Sequence, residues 1–320
     1  MARMFKKIIV FQAVLLLTLA LVLAGCGANA QPGAGNTKKS IEGTVKVTTT
    51  TGMISDIVKN VGGEHVEVQG LMGPGVDPHL YKASQGDIAK LKKADIIFYN
   101  GLNLEGKMAD IFVRMSREKP AIAVTEYIPE SQLREPPDFA GHYDPHVWFD
   151  VKLWMKAVER VRDGLIEVAP DRKADFEKNT QQYLKQLEEL DAYAKQQLAQ
   201  IPKKQRVLVT AHDAFGYFGT AYDLEVTGLQ GISTDSEYGL QDVQNLVDML
   251  VQRKIKAVFI ESSVPKRAIE AVVEGAKAKN HIVTVGGELF SDAMGDPGTQ
   301  GGTYIGMVKH NVDTIVAALK

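Results

Sequence analysis

The tripeptide Asp-Pro-His occurs twice in this sequence, as Asp77-Pro78-His79 and Asp144-Pro145-His146, and no other local pattern points so directly to chemistry. Proline fixes its own φ and pushes the preceding residue into an extended conformation, so the histidine that follows is held at a defined angle. Each copy interrupts the regular pattern around it, which predicts a turn. Two imidazoles on rigid turns are typical of half a metal site, although Asp-Pro also opens ordinary turns.

Two further side chains extend this candidate metal site. His212 follows the apolar run Val207–Thr210, and Asp292 lies in a loop after the run Ile282–Val285. Both runs are typical of strands, and open α/β sheets bind ligands at the carboxyl ends of their strands. We therefore expect donors from each half of the chain to meet at a cation between the halves.

Three neutral imidazoles and one carboxylate suit a divalent transition metal, whereas calcium and magnesium prefer oxygen ligands. Each imidazole must lose its proton to bind, so acid should release the metal. The second nitrogen of each ring needs an acceptor that fixes the tautomer. The acidic residues near the predicted edge that we expect to fill this role are Asp150, Asp213 and Glu261.

The other histidines have weaker claims as metal ligands. His142 lies four residues before His146, a spacing that would share one helical face, but Pro145 disfavours a helix there. The rest lie beside strands or on the last helix, where we expect surface or hydrogen-bonded structural roles. They are His65, His281 and His310.

The first 25 residues have the pattern of an export signal. Basic residues at positions 3, 6 and 7 precede an apolar run over 8–24, as in a secretory leader. The run ends in Leu23-Ala24-Gly25-Cys26, which resembles the bacterial lipobox, in which the cysteine becomes the first residue of the mature chain and carries lipid. This predicts an exported protein anchored at the extracytoplasmic face of the cell membrane. The alternative is an uncleaved membrane helix, for which the run is barely long enough.

Composition excludes several function classes. Cys26 is the only cysteine, so a disulfide framework, a thiolate metal site and thiol catalysis are excluded. The 37 basic and 39 acidic residues give a net charge of −2, and loss of the basic leader would leave a more acidic body, which argues against nucleic acid as a partner. Residues 26–42 lack apolar periodicity, which predicts a flexible tether.

Short β-branched runs alternate with helical segments, which predicts an α/β fold with parallel sheets. The chain beyond the leader exceeds the ~250 residues at which single cores usually stop growing, so we expect two (β/α) lobes, over residues 43–170 and 201–320, with the metal in the cleft between them. The predicted strands are Val45–Thr49, Val66–Leu71, Asp95–Tyr99, Ala121–Val124, Val207–Thr210, Leu224–Thr227, Ala257–Ile260 and Ile282–Val285, and the predicted helices are Met53–Val61, Ser84–Lys93, Leu240–Arg253, Pro265–Ala278 and Gly302–Leu319.

One long amphipathic helix is predicted between the lobes, over residues 171–200. Apolar residues recur there at spacings of three, four and seven, and prolines stand only at the two ends, at Pro170 and Pro202. At 1.5 Å per residue the helix would be ~45 Å long, enough to brace two lobes rigidly. The alternative is an ordinary helix-turn-helix within one lobe.

Four motifs in order resemble the zinc- and manganese-binding solute receptors of bacterial ABC importers, solute-binding family 9. The motifs are Asp77-Pro78-His79, the segment from Asp144 to Asp150, the segment from Ala211 to Phe215, and the segment from Phe290 to Gly295. The resemblance covers essentially residues 43–320. It implies two (β/α) lobes joined by one long helix, a metal buried between them, and delivery to an ABC permease and its ATPase. The ligands that it implies are His79, His146, His212 and Asp292.

The cargo metal is left open by the sequence. Affinity for a nitrogen-rich site rises from manganese toward copper and remains high for zinc, so this ligand set should hold zinc more tightly than manganese. Some manganese receptors of the family carry Glu where this chain has His212. Dedicated zinc receptors tend to have a long His-rich loop before the second ligand, whereas residues 129–143 hold only His142. We therefore favour Mn2+ as cargo, with Zn2+ or Fe2+ as alternatives.

The alternative hypothesis from the enzyme class is a membrane-anchored zinc hydrolase. Three histidine ligands with an open fourth position are typical of several zinc enzymes, in which Asp292 would act as a base. The sequence has neither His-Glu-x-x-His nor a nucleophile elbow, so we expect a receptor and not an enzyme. We also expect the protein to be a monomer. An additional role as an adhesin is compatible with the same fold.

Overall fold

The computed structural model describes residue 41 and residues 43–320. The predicted signal peptide, Cys26 and the tether as far as residue 40 lie outside these described residues. Ile41, at the end of the predicted tether, donates its backbone N–H to the Val168 carbonyl at 3.3 Å and packs against the core. Within the described part of the chain, no helix combines the length and apolar character that crossing a bilayer requires.

The first half of the described chain forms a four-stranded parallel sheet in the order β2-β1-β3-β4. The strand order reverses between β1 and β3, because β2 lies on one side of β1 and the later strands lie on the other. The loops after β1 and β3 therefore diverge, which in such sheets leaves a crevice at the carboxyl ends of the strands. The elements are β1 Val45–Thr49, α1 Gly52–Gly62, β2 Val66–Gly70, α2 Gln85–Lys93, β3 Ile96–Tyr99, α3 Ala109–Met115, β4 Ala121–Ala123 and α4 Val151–Val168.

The second half pairs β5 with β6 and β7 with β8, both in parallel, and β5 packs beside β7. Its elements follow the predicted alternation of strand and helix. They are β5 Val207–His212, α6 Gly216–Tyr222, β6 Glu225–Gln230, α7 Leu240–Arg253, β7 Ala257–Glu261, α8 Arg267–Ala278, β8 Thr284–Leu289 and α9 Tyr304–Leu319.

The long helix α5 spans Lys173–Leu198, within the predicted range and ~39 Å long at 1.5 Å per residue. Its buried side chains recur along one face and join a hydrophobic cluster that contains residues of both halves. In its first half the Tyr183 hydroxyl donates to Asp56 of α1 at 2.6 Å. Near its end Tyr193 donates to Asp313 of α9. The helix therefore packs against both halves of the fold, and the predicted α/β architecture with parallel sheets and one long helix is confirmed.

Several local predictions differ from the structure. The strand predicted over Ile282–Val285 lies later, at Thr284–Leu289, because Gly286 and Gly287 continue the extended chain. Gly287 pairs with Phe259 of β7, and Gly286 lies at an irregularity in the register. No helix was predicted over residues 109–115, 151–168 and 216–222, where α3, α4 and α6 lie. Asp150 begins α4 by accepting the backbone N–H of Lys152 at 2.8 Å and of Leu153 at 3.3 Å.

Candidate metal centre

The two Asp-Pro-His tripeptides form the same local structure. In each, the first carboxylate oxygen of the aspartate accepts the backbone N–H of the histidine, at 2.9 Å from Asp77 to His79 and at 3.0 Å from Asp144 to His146. An aspartate that bonds the backbone two residues ahead closes a small turn, and the proline between fixes its shape. The first turn lies between β2 and α2, and the second lies between β4 and α4.

The second half supplies two side chains from the carboxyl ends of strands. His212 is the last residue of β5, and Asp292 lies three residues beyond β8. All four predicted ligands are buried, with exposures of 4% for His79, 2% for Asp292 and 0% for His146 and His212. The two turns and the two strand ends therefore direct their side chains into one enclosed space.

The donor atoms of these four residues all lie within 4.8 Å of one another. His79 Nε2 is 3.2 Å from His146 Nε2 and 3.6 Å from Asp292 Oδ2. Asp292 Oδ1 is 3.3 Å from His146 Nε2, and Asp292 Oδ2 is 3.3 Å from His212 Nε2. Ligands about 2.0–2.2 Å from a tetrahedral ion are about 3.3–3.6 Å apart, so these spacings fit one small cation.

Unpaired polar atoms also point to a cation. His212 Nε2 and both carboxylate oxygens of Asp292 are buried and have no hydrogen-bond partner among the described residues. A buried carboxylate without partners is costly, and a positive ion among these atoms would supply the missing interactions. The donor set of three imidazoles and one carboxylate suits a divalent transition metal.

Two acidic side chains hold the far nitrogens of the imidazoles. Asp144 Oδ1 lies 2.8 Å from His146 Nδ1, and Glu261 Oε2 lies 2.5 Å from His212 Nδ1. The other Glu261 oxygen accepts the His212 backbone N–H at 2.8 Å. When a metal displaces the proton of Nε2, an acceptor at Nδ1 keeps the remaining ring proton there, as metal-binding histidines require.

Burial and neighbouring charges shift the pKa values of the buried imidazoles in opposite directions. Burial dominates at His79 and lowers its pKa to about 3. Burial also opposes charge on His146, but its contacts with Asp144 and Asp292 raise its pKa to about 9. At His212 the charges of Glu261 and Asp292 outweigh burial and raise the pKa well above its ordinary value. The carboxyl pKa of Asp292 is well below its usual range: burial raises it, but interactions with His212 and His146 outweigh that effect.

These directions predict how pH acts on metal binding. His146 carries a proton below about pH 9 that a metal must displace, whereas His79 is neutral throughout the physiological range. Each displaced proton weakens binding about tenfold for every pH unit below the pKa. We expect the dissociation constant to rise at least about 100-fold from pH 8 to pH 6, measured by competition with a chelator of known pH dependence. A constant that stays the same between these pH values would contradict the assignment.

The three acidic residues predicted beside the ligands lie in different settings. Glu261 contacts His212 directly, as described above. Asp213 follows His212 in the chain, and burial raises its pKa, but its backbone N–H bonds the Gln230 carbonyl and it lines a separate cavity. Asp150 differs from the prediction. Its carboxylate accepts backbone N–H groups at the start of α4.

The remaining histidines lie outside the cluster. His142 is exposed and packs against Phe139, with ring centroids 5.3 Å apart. The others have hydrogen-bond partners of their own, as expected for structural histidines. They are His65 with Asp175 at 3.0 Å, His281 with the Ile255 carbonyl at 2.6 Å, and His310 with the Glu288 carbonyl at 2.9 Å.

Sequence analysis missed Asp144 and Trp148. Asp144 belongs to the repeated tripeptide, and this position was the sequence signal for its role beside His146. Trp148 is fully buried, and its indole N–H donates to the carbonyl of Ser291 at 3.1 Å, next to Asp292. The Tyr304 hydroxyl in turn donates to the Trp148 carbonyl at 2.6 Å. These bonds join the two halves beside the cluster and help to hold its donors close together.

Comparison with known proteins agrees with this geometry. Residues 47–318 match the family described as "ZnuA: Zinc-uptake complex component A periplasmic". The manganese-binding lipoprotein MntA of Bacillus subtilis is 52% identical over 308 residues, which are 96% of this chain and 98% of MntA. The zinc-binding protein TroA of Treponema pallidum is 50% identical over 285 residues, 89% of this chain and 92% of TroA.

A solved structure extends the likeness from sequence to fold. The periplasmic zinc-binding protein TroA of Treponema pallidum superposes with a TM-score of 0.85 at 52% identity, covering 87% of this chain and 99% of that one. The match in sequence and fold confirms the resemblance seen in the motifs. The chain therefore belongs to the ZnuA family, the solute-binding proteins of zinc and manganese ABC importers.

Proposed function

We propose that this protein captures Mn2+ outside the membrane with His79, His146, His212 and Asp292 and delivers it to an ABC permease driven by its ATPase. The protein acts as a monomer, anchored to the cell membrane by lipid on Cys26. The cation is cargo, so the protein is not an enzyme. Zn2+ or Fe2+ is the alternative cargo for the same site.

The observation that carries this proposal is the cluster of four buried donors, within 4.8 Å of one another, that includes unpaired oxygens of Asp292. A zinc enzyme needs an open coordination position for water, whereas Asp292 stands in the fourth position here. Asp144 and Glu261 fix the rings of His146 and His212, which supports tight holding of a cation.

The choice between manganese and zinc depends on the ligand set and on residues 129–143. The names of the two relatives diverge, since MntA is called manganese-binding and TroA zinc-binding. The nitrogen-rich donor set favours zinc in affinity. The segment over residues 129–143 contains a single histidine, which is unlike the His-rich loop of dedicated zinc receptors. Affinity in solution and cargo in the cell are therefore separate questions.

Uptake by cells is the experiment that separates cargo from affinity. Cells that lack this gene should take up labelled manganese slowly, and the full chain supplied in trans should restore uptake, because the receptor concentrates the ion at the permease. A chain with Cys26→Ala should be released from the membrane and should restore uptake poorly. Protein purified without added metal should be assayed for its metal content alongside.

Zinc in the purified protein would not by itself contradict manganese transport, because zinc from the medium wins on affinity. Restoration of zinc uptake without manganese uptake would reassign the cargo to zinc. Failure of the purified protein to bind either metal would reject the receptor function altogether.

A further inference from the structure

The carboxylate of Asp144 is fully buried and its two oxygens have different environments. Oδ1 contacts the backbone N–H and Nδ1 of His146, at 3.0 Å and 2.8 Å. Oδ2 has no hydrogen-bond partner among the described residues. Its neighbouring cation is Arg134, whose Nε lies 3.6 Å away, within ion-pair range but too long for a hydrogen bond. Removing a nearby cation from a buried carboxylate is costly, so this charge helps to hold the Asp144 side chain in place.

Arg134 is itself held from several sides. Its backbone carbonyl accepts the Asp144 N–H at 2.8 Å, and its own N–H donates to the Tyr217 hydroxyl at 3.0 Å. Its Nη1 donates to the Thr220 hydroxyl at 3.1 Å, and the guanidinium lies over the Tyr217 ring, 5.7 Å from the centroid. A Cβ at Gly216 would come within 2.5 Å of the guanidinium carbon, so this glycine leaves the space that the arginine occupies.

This arrangement links the two halves of the fold. Arg134 and Asp144 precede α5 in the chain, whereas Tyr217 and Thr220 belong to α6 of the second half. The Tyr217 hydroxyl also donates to the Asp144 carbonyl at 3.1 Å. The position of Asp144, and through it the ring of His146, therefore depends on an arginine that is anchored on the opposite half.

We propose that Arg134 is a positioning residue for the metal ligand His146, acting through Asp144. The inference rests on the proposed function. Arg134 fixes the Asp144 carboxylate with charge on its Oδ2 side, so that Oδ1 stays on His146 Nδ1 and Nε2 stays directed at the cation. The positive charge of the Arg134 side chain and its hydrogen bond to Thr220 are the two features that provide this positioning.

The test is a comparison of Arg134→Met with Arg134→Lys. Methionine keeps an apolar stem but removes the charge, and we expect about 10–100-fold weaker binding of both Mn2+ and Zn2+, the range found when outer partners of metal ligands are removed. Lysine restores a charge near Asp144 Oδ2 and should recover much of the loss. Thr220→Val, which frees Nη1 of Arg134 and also the Gly216 carbonyl, should weaken binding by a few fold.

Arg162→Met is the matched control. Arg162 has similar side-chain exposure, 27% against 32% for Arg134, and its Nε pairs with Asp163 Oδ1 at 2.7 Å on α4. Its replacement removes the same charge and should leave binding unchanged. Each variant is titrated with MnCl2 and ZnCl2 against a competing chelator, and circular dichroism of the metal-free form establishes that it is folded.

Three results would overturn the inference. Arg134→Met with wild-type affinity would show that Asp144 does not need the arginine. Equal losses in Arg134→Met and Arg134→Lys, each matched by an equal fall in the unfolding temperature of the metal-free form, would mean that the residue only supports the fold. Absence of binding by the wild type would instead reject the proposed function and this inference with it.

Discussion

Replacing His79 by alanine is expected to abolish stoichiometric tight binding of Mn2+ and Zn2+ while leaving the fold intact. His79 supplies a donor that is neutral at physiological pH, 3.2 Å from the donor of His146. Its loss leaves three donors around the cation, so the effect should exceed the ~10–100-fold change typical of residues that only support a ligand. The residue lies in a loop between β2 and α2, outside the hydrophobic clusters, which is why the fold should survive.

Thermal unfolding measures this effect together with the titration. A metal that binds only the folded state at 1,000 times its dissociation constant stabilises it by about 4 kcal/mol. The wild type should gain this stability when metal is added, and His79→Ala should gain almost none at the same concentration. His142→Ala is the matched control, because His142 is exposed and lies outside the cluster. Unchanged metal titration in His79→Ala would reject the ligand assignment.

Replacing Glu105 by alanine is expected to cost about 3–5 kcal/mol of unfolding free energy. The Glu105 carboxylate is buried, and its Oε1 accepts the Thr50 hydroxyl at 2.6 Å and the Asn100 backbone N–H at 2.8 Å. Its Oε2 accepts the Gly101 N–H at 3.3 Å. Burial raises the carboxyl pKa despite these bonds. Alanine would leave buried donors without partners, each of which costs about 1–3 kcal/mol.

The same substitution should also weaken metal binding. The Asn100 side-chain amide donates to the Pro145 carbonyl at 3.0 Å, and Pro145 directly precedes His146. Loss of Glu105 frees Asn100 and with it the turn that carries this ligand. Chemical denaturation measures the stability, with Glu188→Ala on the exposed face of α5 as a control expected to change it by less than about 0.5 kcal/mol. A loss below about 1 kcal/mol in Glu105→Ala would show that water replaces the carboxylate.

Much of the fold follows from local patterns. The helix predicted over Leu240–Arg253 has those bounds in the structure, and Ser84 caps α2 through a capping box with Asp87. These features depend on residues within a turn or two of one another, which sequence displays directly. The strand β8 was misplaced because its glycines suggest a loop, and only pairing with β7 makes them a strand. Pairing of distant segments is invisible to local periodicity.

The candidate site, like the fold, was predicted from the sequence only in part. The sequence by itself determined the donor types and the two stiff turns and predicted the export signal, because each depends on adjacent residues whose chemistry is fixed. Only the tertiary structure decided which acid meets which imidazole. Glu261 contacts His212, which is 49 residues away in the sequence, and Arg134 contacts Thr220, which is 86 residues away. Such partners are chosen by how strands and helices pack, and burial then decides whether a given carboxylate holds an imidazole, begins a helix or supports a turn.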